Sequence, residues 1–233
     1  MDKKILILVE GQTEAGFAKR VLDVHFRGIA TVIPTINTTK YVKSGPNFKG
    51  GVTHYDRVRK EILKLLQDSS ATVVTMMFDY YGLPSDFPHF NEQTGNCYQM
   101  VEFLERAIEN EIQDVRFVPY LQLHEFESLL FSEPRAIDNI MVGALLQSNL
   151  EIVRAAFASP EEINNNPATC PSRRILKEYP GYEKVLHGQM ISETIGVETI
   201  LAQCIHFSKW IDRIKNICNP PRPIANQTNS LGL

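Results

Sequence analysis

Long apolar runs are missing from this 233-residue chain. Met1-Asp2-Lys3-Lys4 leads into only five clearly apolar residues, Ile5 to Val9. That is too short for the core of a signal peptide, and no stretch approaches the roughly 20 residues that span a bilayer. Cysteine is also scarce. Cys97, Cys170, Cys204 and Cys218 form no CxxC pair and no regular framework, which argues against a disulfide scaffold and against Cys/His zinc spacing. They read as mostly buried thiols in a reducing compartment, so the expectation is a cytoplasmic protein with no membrane attachment. An excess of one charge is lacking too: 22% of residues are charged and the net charge is −3, the balance neither of a disordered chain nor of a generally basic nucleic-acid binder. There is no GxxxxGK[ST] loop, no GxSxG elbow, no HExxH pair and no internal repeat.

What is present is enough apolar material, 43% of residues, to bury a full core. Ile5–Val9 reads as a strand buried on both faces, the pattern of a parallel sheet. Thr13 is placed to cap a helix carrying Phe17, Val21 and Val24. Ile29 to Ile36 is strand-like, but Pro34 demotes it to an edge or broken strand. Lys40 to Gly51 reads as a loop, and a helix from about His54 to Gln67 turns Val58, Ile62, Leu65 and Leu66 inward. Ala71–Phe78 is a second buried strand ending at Asp79. A long loop, Tyr80 to Gly95, precedes a helix marked by Val101, Leu104, Ile108 and Ile112. Val115–Leu121 is a third strand, and His124-Glu125-Phe126-Glu127 opens a further helix. From Glu133 the periodicity is helical, with candidates at Leu145–Ala158, Ser172–Tyr179, Val197–Cys204 and His206–Cys218. The predicted fold is α/β, a sheet of about four mostly parallel strands flanked by helices. The predicted division is a core over 1–132, a helical extension packed on it over 133–218, and a loose tail over 219–233.

In open parallel sheets, ligands bind beyond the carboxyl ends of the strands. Each of the three best strands ends at or just before acids: Glu10, Asp79, and the pair Glu125 and Glu127. If the strands are neighbours, these carboxylates converge, and a hard cation such as Mg²⁺ or Mn²⁺ would offset their repulsion. Taken singly, each acid is equally a solvated strand end or a helix cap. Local charge points the same way without deciding it. Lys40–Lys64 holds seven Lys/Arg against two acids, and Asn91–Glu127 holds eight acids against two Arg. That is either a basic lobe facing an acidic one or two ordinary solvated surfaces.

The residues around the acids carry a resemblance. Val9-Glu10-Gly11-Gln12-Thr13-Glu14 resembles the glutamate motif of Toprim domains, especially those of the overcoming-lysogenization-defect (OLD) nucleases. Phe78-Asp79-Tyr80-Tyr81 resembles the Toprim DxD segment, with Tyr81 where the second acid belongs and Asp86 as a nearby substitute. His124 to Phe131 is similar to the later acidic helix-start motif of OLD-type domains. Over nearly its whole length the chain resembles a Toprim-like family of bacterial proteins of unknown function, domain family 4276. The segments that carry it are VEGQTE, Phe48-Lys49-Gly50-Gly51, DYYGLPSDFP, PYLQLHEFESLLF, Pro171-Ser172-Arg173-Arg174, PGYEKVLHG and HFSKW.

The resemblance implies a Toprim-like fold and a metal-dependent phosphodiesterase serving anti-phage defence beside an ATPase encoded nearby. Glu10, Asp79, Glu125 and Glu127 would hold Mg²⁺ or Mn²⁺, with Asp86 as a contributor. Lys49, Arg57, Arg173, Arg174 and Lys184 are the candidates for phosphate contacts on DNA or RNA, or are plain surface residues. His124 is a candidate general base, and equally a cap or core histidine. The alternative is a non-catalytic effector subunit that docks an ATPase and uses the same pocket for binding alone. Assembly as a homo-oligomer is open.

Overall fold

The structure, a computed structural model, describes residues 3–40, 48–49, 51–143, 148–164 and 166–220. In chain order the elements are β1 (Lys3–Val9), α1 (Gln12–Phe17), a π-helical turn (Ala18–Leu22), α2 (Asp23–His25), β2 (Ala30–Ile36), β3 (Thr38–Lys40), β4 (Phe48–Lys49), α3 (Tyr55–Leu66), β5 (Ala71–Asp79), α4 (Cys97–Ile112), β6 (Phe117–Val118), β7 (Leu121–Gln122), α5 (Glu127–Leu130), α6 (Pro134–Val142), α7 (Leu150–Ala155), α8 (Pro171–Glu178), α9 (Lys184–Ile195), α10 (Val197–Gln203) and α11 (Ile205–Cys218).

The main sheet runs β2-β1-β5-β6, with β7 also pairing with β5, and every pairing in it is parallel. Alternation along the two central strands divides the core. Ile5, Ile7 and Val9 of β1, with Val73 and Met77 of β5, join one apolar cluster with α1, α5, α9 and α11. Leu6 and Leu8, with Val74, Met76 and Phe78, join a second cluster with α3 and α4. Strands covered by helices on both faces are near-continuous apolar runs for this reason. Residues of the segment 133–218, among them Ile191, Phe207, Trp210 and Ile214, belong to the same cluster as β1 and α1.

Several sequence expectations change in detail. Pro34 does lie in an edge strand, opposite Ile7 of β1. Thr13 is buried inside α1 and the N-cap is Gly11, while Val24 is half exposed. The third strand is broken: Pro119, which has no N–H to give to a ladder, separates β6 from β7, and Val115 is 93% exposed. Within the expected loop Lys40–Gly51, β3 and β4 pair antiparallel, while residues 41–47 and 50 lie outside the described residues. So do 144–147, where the expected helix Leu145–Ala158 begins, and 221–233 of the expected tail. Two helices, α6 and α9, were not anticipated. In α9 apolar residues encircle the helix, with Val185, Leu186 and Met190 exposed and Ile191 and Ile195 buried, so no single stripe announces it.

Candidate functional site: a carboxylate edge around Lys184

Because β1, β5 and β7 are parallel neighbours, the residues that follow them emerge at one edge of the sheet. Glu10 follows β1 directly, Asp79 is the last residue of β5, and Glu125 and Glu127 come just after β7. The contacts knit these ends together. The Asp79 amide donates to Glu10 Oε2 at 3.3 Å, and the Phe126 amide donates to Asp79 Oδ1 at 2.8 Å. Tyr80 N donates to Gln122 O and Tyr81 N to His124 O, at 2.9 and 2.8 Å. His124 adopts a left-handed backbone, φ 63°, a conformation uncommon outside glycine. This turn sits between β7 and the acids of α5.

The centre of the cluster is a cation from α9. Lys184 Nζ lies 3.2 Å from Asp79 Oδ2, 3.3 Å from Glu127 Oε2 and 3.5 Å from Glu14 Oε1. Tyr182 donates its hydroxyl to the other oxygen of Glu127 at 3.4 Å. The approach of α9 to α1 depends on small residues. A Cβ on Gly188 would stand 3.3 Å from both Thr13 Cγ2 and the Tyr182 hydroxyl, and one on Gly16 would collide with the Gln189 side chain. Gln189 also donates to Gln12 O at 3.0 Å.

Three carboxylates thus touch one ammonium in a largely buried setting, and the charge of a fourth, Glu10, also acts on it. Burial, then the charge of Glu14, raises Glu10 above the usual carboxylate range. Burial holds Asp79 well above it despite Lys184, and burial likewise raises Glu127. For Lys184, burial pulls downward, but Asp79, Glu127, Glu14 and Glu10 outweigh it and hold the ammonium above its ordinary value. Each of these shifts follows from placing like and unlike charges together in a poorly hydrated site.

The donor set suits a hard divalent cation in kind, since it is all carboxylate oxygen. Glu127 Oε2 is buried and accepts no hydrogen bond; its neighbour is the Lys184 ammonium at 3.3 Å. The present spacing is that of an ammonium: among the described residues, no three His, Cys, Asp or Glu side chains stand ready to hold a metal ion.

The remaining candidates separate. Glu125 turns away from Lys184 and accepts from Ser172 N at 2.9 Å and Ser172 Oγ at 3.1 Å, at the start of α8. Asp86 accepts from Tyr55 N at 3.1 Å and pairs with His54, so it caps α3 rather than joining the acids. Arg174 donates to Thr169 O at 2.6 Å and lies over the Phe157 ring, a brace for its own loop. Arg173 is exposed. Arg57 is half-buried in the first turn of α3, with one guanidinium nitrogen lacking a hydrogen bond. The Lys49 side chain lies outside the described residues. His124 is buried, its Nδ1 has no partner, and burial pushes its pKa down to about 4, so it is neutral at pH 7. Tyr81, at the place of the absent acid, is partly exposed.

Three participants escaped sequence reasoning: Glu14, Tyr182 and Ser172. Glu14 had a usable signal, since it stands four residues after Glu10 in the VEGQTE segment. Tyr182 and Ser172 stand in the segments PGYEKVLHG and Pro171-Ser172-Arg173-Arg174, but nothing there assigned them a role, because they reach the site only through the packing of α8 and α9.

Among the described residues no helix is long and apolar enough to cross a membrane. Among solved structures, the C-terminal region of the Burkholderia pseudomallei OLD protein aligns over 94% of this chain and 100% of its own, at 14% identity and a TM-score of 0.45. Among curated proteins, a pantothenate synthetase of Rhizobium rhizogenes (strain K84) is 27% identical over 173 residues. The match takes in 73% of this chain and spans about half, 50%, of that relative's length. The profile of the domain of unknown function DUF4276 matches residues 9–215, most of the sequence and every acid of the cluster, and the chain belongs to the DUF4276 family.

Proposed function

We propose that the protein is a divalent-metal-dependent nuclease of the Toprim type that hydrolyses phosphodiester bonds in DNA or RNA. One observation carries the reading: acids from the ends of three neighbouring parallel strands, joined by Glu14, meet at one buried point. Glu10, Asp79 and Glu127 would hold Mg²⁺ or Mn²⁺, with Glu14 behind them. A bound divalent cation supplies a Lewis acid for a phosphoryl oxygen. Asp79 is held in orientation by the Phe126 amide and Glu127 by Tyr182, so the carboxylates are fixed before a substrate arrives. In the metal-free protein Lys184 supplies the positive charge at this place, and exposed Arg173, next to the Ser172 that holds Glu125, would contact a phosphate. Service in anti-phage defence, with an ATPase partner, belongs to the same reading.

A second reading, a non-catalytic effector subunit docking an ATPase, is favoured by one observation: Lys184 already partly neutralises the acids. The test is cleavage of plasmid DNA and of tRNA with Mg²⁺ or Mn²⁺, comparing the parent with Asp79→Asn, each with and without the neighbouring ATPase. Metal-dependent cutting that disappears in Asp79→Asn supports the nuclease. Folded parent protein that cuts nothing under any condition moves the reading to the effector. Pantothenate formation, the activity named for the curated relative, is the counter-assay, and a positive result there would redirect both readings.

A further inference from the structure

The cation and the central acid of the cluster, Asp79, differ in how firmly they are held. Asp79 is pinned by the Phe126 amide at 2.8 Å, while Glu10 and Glu127 have longer contacts, 3.3 Å to the Asp79 amide and 3.4 Å to the Tyr182 hydroxyl. Lys184 is the first residue of α9, its side chain is 39% exposed, and its ammonium touches only carboxylates. Its three distances of 3.2, 3.3 and 3.5 Å exceed the roughly 2.7–2.9 Å of a well-made charge-assisted bond. The ammonium is therefore shared among oxygens from three elements rather than docked on one. A small cation attracted to all three would seek the same point.

We propose that Lys184 is a displaceable internal counter-ion, which excludes divalent cations from the carboxylate edge until its side chain swings outward. This rests on the metal reading given above and adds its regulation. Outward rotation takes from Glu127 Oε2 its 3.3 Å ion pair, which leaves that buried oxygen free for a metal, and leaves Asp79 anchored through Oδ1. Metal affinity is then scaled down to the fraction of time the ammonium is away, and the metal-loaded protein presents a free lysine at the mouth of the site. A lysine that coexists with the metal would instead stay where it is.

The experiment uses the full chain and Mn²⁺ alone. Binding is measured by calorimetry on the parent, Lys184→Met and Lys184→Arg. Acetylation of Lys184 in the parent is followed by peptide mass spectrometry, with and without saturating Mn²⁺. Lys184→Met is expected to bind Mn²⁺ at least about tenfold more tightly than the parent, with Lys184→Arg no tighter than the parent. Mn²⁺ is expected to raise the rate of Lys184 acetylation severalfold. The acetylation arm needs no variant, so it stands if Lys184→Met does not fold. Mn²⁺ binding with acetylation unchanged or slowed overturns displacement while leaving the metal site intact. Absence of Mn²⁺ binding in parent and variants alike overturns the metal reading itself.

Discussion

Replacing Lys184 by Met in metal-free buffer leaves Glu10, Glu14, Asp79 and Glu127 at one sheet edge without their ammonium. A unit-charge pair at 3.3 Å, the Lys184–Glu127 separation, carries about 5 kcal/mol of gross attraction at an effective dielectric near 20. Most of that is offset by the cost of taking the charges out of water. Removing one member of a buried pair typically costs about 3–5 kcal/mol. The Lys184 side chain is 39% exposed, so water screens part of the interaction and the figure falls to about 2–3 kcal/mol. At about 2–4 °C per kcal/mol for a chain of this size, the melting midpoint should drop by roughly 5–10 °C at pH 7.

The loss should depend on pH with a definite sign. Burial raises the folded-state pKa of Asp79, Glu10 and Glu127. A carboxyl raised by folding contributes stability that is fully present below its unfolded value and is lost as pH rises through its folded value. Without the ammonium these groups rise further, so the gap between parent and variant is widest near pH 8 and narrows toward pH 5. Lys184 is itself raised, and its contribution fades only above the alkaline end of this range. Thermal melts by circular dichroism from pH 5 to 8 in EDTA measure both effects. A loss under about 1 °C at pH 7, or a gap that widens toward pH 5, would refute the reasoning.

Three further outcomes test the frame around the site. Gly188→Ala forces a methyl against Thr13 and Tyr182, 3.3 Å from each, and should cost about 1–3 kcal/mol of unfolding free energy in urea melts. Glu161→Ala removes the buried acceptor of the His206 and Phe207 amides, both at 2.9 Å, and should cost about 2–4 kcal/mol as α11 loses its cap. Trp210→Phe deletes the 2.9 Å hydrogen bond from the indole to Thr75 Oγ1 on β5 and should cost about 1–2 kcal/mol, read by the same melts.

The strand ends were legible in the sequence because parallel strands covered on both faces leave unmistakable apolar runs, and Ile5–Val9 and Ala71–Phe78 stop at Glu10 and Asp79. Pro34 announced an edge strand because its ring deletes a ladder donor. The far side of the sheet was harder to read: β6 and β7 are each two residues long, and no periodicity survives at that length. Asp86 looked like a substitute for the acid that Tyr81 replaces, yet the amide of Tyr55 at the start of α3 claims it. The centre of the site was legible only in part: Lys184 was a candidate for phosphate contact, but its role as the ammonium among the acids was not readable. Lys184 sits in a helix whose apolar residues point in every direction, and its meeting with residues 14, 79 and 127 is a product of tertiary packing alone.

That separation along the chain has a consequence for biogenesis. During synthesis from the N-terminus, all the acids of the cluster emerge before the lysine that balances them, and more than fifty residues divide Glu127 from Lys184. A nascent sheet of β1, β2 and β5 would gather like charges at one end and repel itself there. Docking of α9 supplies the counter-charge, and through Ile191 and Ile195 it closes the apolar cluster in the same step. The late helices therefore act as an electrostatic latch on a sheet that is poorly balanced without them.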